Sequence, residues 1–398
     1  MKGVNRVAKV YLKRDRRKRL EQGHPWVYNN EIIKTEGELS PGCDVEIVNH
    51  NGVFLAMGYY NNNSVITVRV TGYEQGVTLD RALMLKRMQA AKAWRESRLP
   101  GENNCRLIFG EADFLPGLVV DRFDTTLVIQ ILTMGMEVRL DDILADLQEV
   151  YAPRYLFLRN DATVRKLEGC SLYTKWVGQD GPAQVQIVEN GLKFMVDIVE
   201  GQKTGYFYDQ KTNRAALQSL VQGASVLDCF CHTGSFAIHA AHYGASQVEA
   251  TDISALALEQ AVVNAKLNGC EERITFSEAN AFDLLKQYTQ ENRSYDVVIL
   301  DPPAFAKNKS SVQGAFRGYK EINLRGMKLL NPGGFLMTNS CSFHMSEDLF
   351  REMLTEAATD AKLRFRLVEW RSQAPDHPEI IGYPESHYLK NVILQRVE

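Results

Sequence analysis

Cys341 stands between two serines in the stretch Asn339-Ser-Cys-Ser-Phe-His-Met345, just past an apolar run. Alone it could be packing, because free cysteines are often buried as small hydrophobes. What converges on it decides. A second apolar run, "VVILDPPAF", ends in Asp301 followed by two prolines. Prolines lack backbone donors and stiffen a loop, so the carboxylate is held in one place. If both runs are parallel strands of one sheet, their carboxyl ends share a crevice, and the thiol faces the acid. A thiolate beside an acid can do covalent chemistry. It adds to carbon 6 of a pyrimidine, which makes the inert carbon 5 nucleophilic. Asp301, protonated or sharing a proton with the base, can steady N3 as charge builds there.

An electrophile is then needed, and three other strand ends indicate which. The first reads Asp228-Cys-Phe-Cys-His-Thr-Gly234. It lacks the three glycines that let a backbone approach a pyrophosphate. Asp252 ends the next strand, 24 residues later, where an acid can hold ribose hydroxyls. Asn280-Ala281-Phe282-Asp283 ends the third and can read an adenine edge. A ribose, an adenine and no pyrophosphate point to S-adenosylmethionine, with S-adenosylhomocysteine as product. A dehydrogenase is the main competitor, and the missing glycines count against it. Enzymes that methylate exocyclic amines also carry Asp/Asn-Pro-Pro, but with an aromatic directly after it. Here Ala304 fills that slot and Phe305 comes one later, which weakens the amine reading.

These ends need a scaffold. From residue 189 onward strands and helices alternate: "SVLDCF", "SFAIHAAHYGA", "QVEATD", "SALALEQAVVNAKLNG", "ITFSEAN", "YDVVILD", "GGFLMTNS". Such alternation predicts an α/β, Rossmann-like, doubly wound parallel sheet over 189–398. Residues 1–75 read as short strands separated by turns: "VAKVYL", "CDVEIVN", "VFLAMGYYN" and "VITVRVT". Residues 76–188 read as a mixed α+β region. It holds a helix, "LDRALMLKRMQAAKAWRESR", then strands "LVVDRF", "TLVIQIL" and "YLFLRN", with a helix around "DDILADLQEV". Several arginines and Asp121 could line a groove there, and a structural role is the plainer expectation.

A chain of 398 residues, 24% charged and 45% hydrophobic, is an ordinary globular composition that calls for two or three domains. No apolar run is long enough for a membrane span, so membrane insertion is not expected. Seven cysteines make no disulfide framework, and Cys229 and Cys231 have no second pair to complete a zinc site, so no metal is expected. A reducing, cytoplasmic setting fits. The first twenty residues hold nine basic side chains and one acid in a chain of net charge −3. Arg14, Arg16, Arg17 and Lys18 are candidate phosphate contacts, the plain alternative being a solvated basic end.

The phrase "GHPWVYNNEI" resembles the opening of the PUA domain, a small RNA-binding β-barrel. The whole chain resembles the bacterial large-subunit ribosomal RNA methyltransferase I family, 23S rRNA (cytosine-5)-methyltransferases with an N-terminal PUA domain. The likeness rests on "GHPWVY", "EGQKTGYFYDQKTNR", "DCFCHTGSFA", "DPPAF", "FRGYKEIN", "SCS" and "YPESHYLK". It implies Cys341 as nucleophile and a cofactor surrounded by Asp228, Thr233, Gly234, Asp252, Ile253, Asn280, Ala281 and Asp301. Phe207 and Gln210 would lie nearby. Its partner would be 23S rRNA or a large-subunit assembly intermediate, with monomer or homodimer left open. The family often has Lys where Ala304 stands, and an acid where Asn280 stands. Other cytosine-5 RNA methyltransferases carry a second cysteine beside the acid of Asp301, and none is here. The base that removes the carbon 5 proton is therefore unnamed.

Competing readings are a methyltransferase for a guanine ring nitrogen or an amine, and a non-catalytic RNA-binding assembly factor. Cys229, Cys231 and Cys270 are expected to be packing. Arg317 and Lys320 of "FRGYKEIN" could contact RNA phosphate or simply be solvated. Asp197, Asp209 and Arg214 could form an ion-pair set. His232 and His344 receive no role.

Overall fold

The computed structural model describes residues 7–15, 17–306 and 308–397, with the Arg17 side chain outside the description. Two compact units share the chain. Met1–Val185, Val196–Tyr208 and Pro375–Ser386 form the first; Gln186–Met195, Asp209–Ala374 and His387–Glu398 form the second. No helix among the described residues is long and apolar enough to cross a membrane.

In the first unit, apolar residues at every second position dictate a sheet with one buried face. Ala8, Val10 and Leu12 are buried along Ala8–Leu12, and Val45, Ile47 and Val68 join them in one core. The six strands lie in the order Trp26–Tyr28, Ile66–Gly72, Phe54–Tyr60, Asp44–Val48, Ala8–Leu12, Ile32–Glu36. Trp26–Tyr28 and Ile32–Glu36 are additions to the predicted strands. One is three residues long, and the other exposes four of its five residues, so neither carries a periodic signal.

A second sheet of this unit orders Tyr173–Val177, Tyr155–Asn160, Thr126–Ile131, Leu118–Phe123 and Cys105–Phe109. The predicted helix covers Arg81–Arg98 and starts where Asp80 accepts the Leu83 amide at 2.9 Å, an ordinary N-cap. Met84, Met88, Ala91 and Arg95 form its buried stripe. Asp121 is fully buried and clasped by Arg106 through two bonds of 2.8 and 2.7 Å, so it is structural rather than groove-lining.

The second unit is built on one seven-stranded sheet, whose strands we number β1 (Ser225–Cys229), β2 (Gln247–Asp252), β3 (Ile274–Glu278), β4 (Tyr295–Leu300), β5 (Leu330–Ser340), β6 (Phe365–Arg371) and β7 (Lys390–Arg396). Their spatial order is β3-β2-β1-β4-β5-β7-β6. The first five are mutually parallel, as predicted. β6 and β7 add an antiparallel edge that the sequence reading did not include. Helices α1 (Ser235–His242), α2 (Ala255–Leu267), α3 (Ala281–Gln290), α4 (Val312–Lys328) and α5 (Glu347–Ala361) complete the unit. Both β1 and β4 are almost wholly buried, the mark of central parallel strands. The order reverses between β1 and β4, so loops there leave a crevice at the carboxyl ends. Buried amides lock the register: Asn391 donates to Asn339 Oδ1 at 2.7 Å, and Asn339 donates to the Leu300 carbonyl at 3.1 Å.

Candidate active site

The loop after β1 is wound tightly. Phe230, His232 and Gly234 all have positive φ, at 66°, 50° and 81°. A Cβ on Gly234 would lie 3.0 Å from the Ala261 methyl and on a backbone that disfavours side chains, so glycine is required. The turn brings the His232 amide to Asp252 Oδ2 at 2.9 Å, and the Ser254 amide reaches Oδ1 at 2.9 Å. Asp252 is thus aimed by two backbone donors and keeps lone pairs for a ligand. The neighbouring Ile253 is 69% exposed, an apolar surface beside the acid.

Asp228 is completely buried, and neither carboxylate oxygen has a hydrogen-bond partner. Burial raises its pKa well above the usual carboxylate range; the charges of Asp301 and Asp252 raise it further, and the Ala237 amide, near but outside hydrogen-bonding geometry, partly offsets them. Asp252 and Asp301, at the ends of β2 and β4, therefore stand close enough to Asp228, at the end of β1, for their charges to act on it. S-adenosylmethionine carries a sulfonium and an ammonium, so the residues fit that cofactor in charge as well as in shape.

Asn280 is an exposed N-cap whose Oδ1 accepts the Phe282 amide at 2.9 Å, which leaves a lone pair and both amide N–H groups for an adenine. Ala281 is buried at the start of α3, and Thr233 is half-buried in the β1 loop. Phe207 falls in the first unit, with the Lys203 ammonium 4.5 Å from its ring centroid.

Gln210 is buried and donates to Asp301 Oδ1 at 2.9 Å. A relay stands behind it. Arg371 Nε can only donate and meets Asn213 Oδ1 at 3.1 Å, while Asn213 Nδ2 reaches Gln210 Oε1 at 2.7 Å. Each amide is thereby oriented, and Asp301 Oδ1 must be an acceptor.

Leu300 pairs with Thr338, so Asp301 and Cys341 leave neighbouring parallel strands at the same edge. Cys341 is half-buried, in contrast to the buried Cys229, Cys231 and Cys270. Burial raises the thiol pKa of all three, to about 11 for Cys270. The flanking serines are fixed rather than free. Ser340 donates to the Tyr319 hydroxyl at 3.0 Å, the Ser342 hydroxyl lies 3.0 Å from the same oxygen, and Ser342 Oγ accepts the Ala306 amide at 3.1 Å.

Arg14 and Lys18 are exposed; Arg16 and the Arg17 side chain lie outside the described residues. Arg317 is exposed on α4. Lys320 is paired with Glu356 at 2.8 Å and Asp360 at 2.9 Å, which ties α4 to α5. Asp197 caps the Val199 and Glu200 amides, Asp209 accepts the Tyr388 hydroxyl at 2.6 Å, and Arg214 clasps Glu189 at 2.6 and 2.9 Å. The sequence reading missed Asn213, Tyr319, Arg371 and Lys390. Of these, Asn213, Tyr319 and Lys390 lay in phrases already singled out, and Arg371 did not.

Residues 158–391 match the family model of S-adenosylmethionine-dependent methyltransferases, and residues 10–72 match that of a PUA-like domain. The chain is 41% identical over 392 residues to a Shewanella denitrificans protein named ribosomal RNA large subunit methyltransferase I, covering 97% of this chain and 99% of that one. A protein of the same name from Enterobacter sp. (strain 638) is 41% identical over 387 residues, covering 96% and 98%. Among solved structures, a methyltransferase complexed with SAH superposes with a TM-score of 0.84 at 20% identity, over 97% of this chain and 99% of that one.

Proposed function

Because the chain belongs to the ribosomal RNA large subunit methyltransferase I family and uses S-adenosylmethionine, we propose that it methylates carbon 5 of a cytosine in 23S rRNA through a transient bond from Cys341. The observation that supports this reading is a half-exposed thiol at the end of β5, one strand from Asp301.

Bound S-adenosylmethionine supplies an electrophilic methyl group on a sulfonium. Asp228, Thr233, Gly234, Asp252, Ile253, Asn280 and Ala281 would hold it, with Gln210 assigned to the same site. The Cys341 sulfur bonds to carbon 6, and the ring's electron pair moves to carbon 5 and N3. Asp301, oriented by Gln210, steadies N3 as charge builds there. Carbon 5 takes the methyl group as the methyl–sulfonium bond breaks and S-adenosylhomocysteine is left; carbon 5 then loses its proton to a base, and the bond to the Cys341 sulfur breaks as the ring double bond returns. The thiolate leaves unchanged. A target base must leave its stack to reach the thiol, at a cost of roughly a few kcal/mol.

In this reading residues 1–75 are the RNA-binding module, 76–188 a connecting domain and 189–398 the catalytic domain. Arg14, Arg16, Arg17, Lys18 and Arg317 contact phosphate, and Lys320 does so by leaving its partners on α5. The substrate is 23S rRNA or an assembling large subunit. The test replaces Cys341 by Ala and presents rRNA substituted with 5-fluorocytidine. Wild type should form a denaturant-stable adduct, whereas Cys341→Ala should bind cofactor normally and lose methylation by about a thousandfold or more. Nucleoside mass spectrometry showing a methylated guanine instead would refute the proposal.

A further inference from the structure

Lys390 is a buried cation that the steps above leave unused. It is 2% exposed and begins β7, with Ser340 as its partner across the ladder. Its ammonium donates to the carbonyl of Ser342 at 2.7 Å and to that of Tyr388 at 2.9 Å. It therefore sits against the turn 340–342 whose central residue is Cys341. Burying an ammonium for two neutral acceptors is costly unless an anion repays it. Burial pushes the lysine pKa down to about 8, against the pull of charge on Cys341 and on Glu347.

The other titratable groups nearby are engaged elsewhere. Glu347 is shared with His387 at 2.9 Å and Trp370 at 3.0 Å. Tyr319 is bound to Ser340 and Ser342, and Asp209 takes the Tyr388 hydroxyl. A Cys341 thiolate is the anion that the lysine is placed to serve.

We propose that Lys390 is the positioning residue of the nucleophile: it anchors the Ser340–Ser342 turn and favours the thiolate of Cys341. The proposal rests on Cys341 as nucleophile, but its test needs neither RNA nor cofactor. Alkylation of Cys341 by iodoacetamide is followed across pH by mass spectrometry of its peptide in the full-length protein. The wild-type midpoint should lie at least one pH unit below an ordinary thiol, about 8.5. Lys390→Met should raise that midpoint by a unit or more and slow alkylation at pH 7 about tenfold, and Lys390→Arg should restore most of the rate. A lysine that only ties two carbonyls would shift melting and leave the midpoint alone. A wild-type midpoint at or above the ordinary value overturns the proposal whether or not Lys390→Met folds, and so does an unchanged profile in that variant. A low midpoint that depends on Lys390 upholds it even where no adduct with fluorinated RNA forms, a failure that would count against the proposed function alone.

Discussion

Buried charge is treated in opposite ways in the two units. In the first, deep carboxylates meet guanidinium groups. Arg95 bonds both oxygens of Asp113 and the Asp376 carbonyl, Arg106 clasps Asp121, and Arg69 serves Glu111 at 2.6 Å and Glu168 at 3.2 Å. The second unit does the same with Arg214 and Glu189, away from the crevice. At the carboxyl end of its sheet it does not, and Asp228 is sealed in with two bare oxygens beside Asp252 and Asp301. A paired buried charge belongs to the architecture, and a buried carboxylate without a hydrogen-bond partner marks a candidate functional site.

The contrast can be broken at either side. Arg95→Met strands Asp113 without a partner and should cost about 3–5 kcal/mol in denaturant unfolding. A loss under 1 kcal/mol would mean that the pair is not structural. Asp228→Asn should act in reverse. The cofactor-free protein becomes more stable, by about 1 kcal/mol, while S-adenosylmethionine binds about tenfold more weakly by calorimetry, a change of about 1.4 kcal/mol. A variant that binds normally would remove Asp228 from the site.

The same residue sets a pH dependence. Folded, Asp228 keeps its proton to higher pH than an unfolded chain does, so the stability of the cofactor-free protein falls as pH rises from about 4 through the raised value. A cationic ligand favours the ionised form, so affinity should rise over that window, by at most about tenfold per pH unit. Calorimetry in buffers of different ionisation enthalpy should detect the released proton, and a flat profile would contradict the assignment.

Smaller effects sharpen the comparison. Asn213→Ala cuts the relay from Arg371 to Asp301 and should lower kcat about fivefold with cofactor affinity unmoved, a cost of about 1 kcal/mol. Equal losses in both would make the relay a fold element rather than an orienting one. Replacing Arg14 and Lys18 by Gln should flatten the slope of log affinity for single-stranded rRNA against log salt by about 1.4, if each meets one phosphate. An unchanged slope would make the basic end a solvated one.

The parallel half of the sheet was legible because each strand is a short apolar run closed by an acid or a turn, and the crevice-lining residues sit in those endings. β6 and β7 were not, since β6 exposes most of its length and β7 follows an irregular stretch. Lys390 and Arg371 went unseen with them. A donor that acts through other side chains has no spacing to read, because its partners are distant in the chain. Asn280 has a second role that its position before a helical run signals, since its oxygen caps α3.

The bare Asp228 also bears on how long the protein lasts. An occupant at a hundred times its dissociation constant adds about 2.7 kcal/mol to the native state. Molecules that have lost it open more often and meet proteases sooner. When a cell starves for methionine the pool of this catalyst should shrink through turnover as well as idle, and pulse-chase measurement of its half-life under methyl-donor depletion would register that coupling.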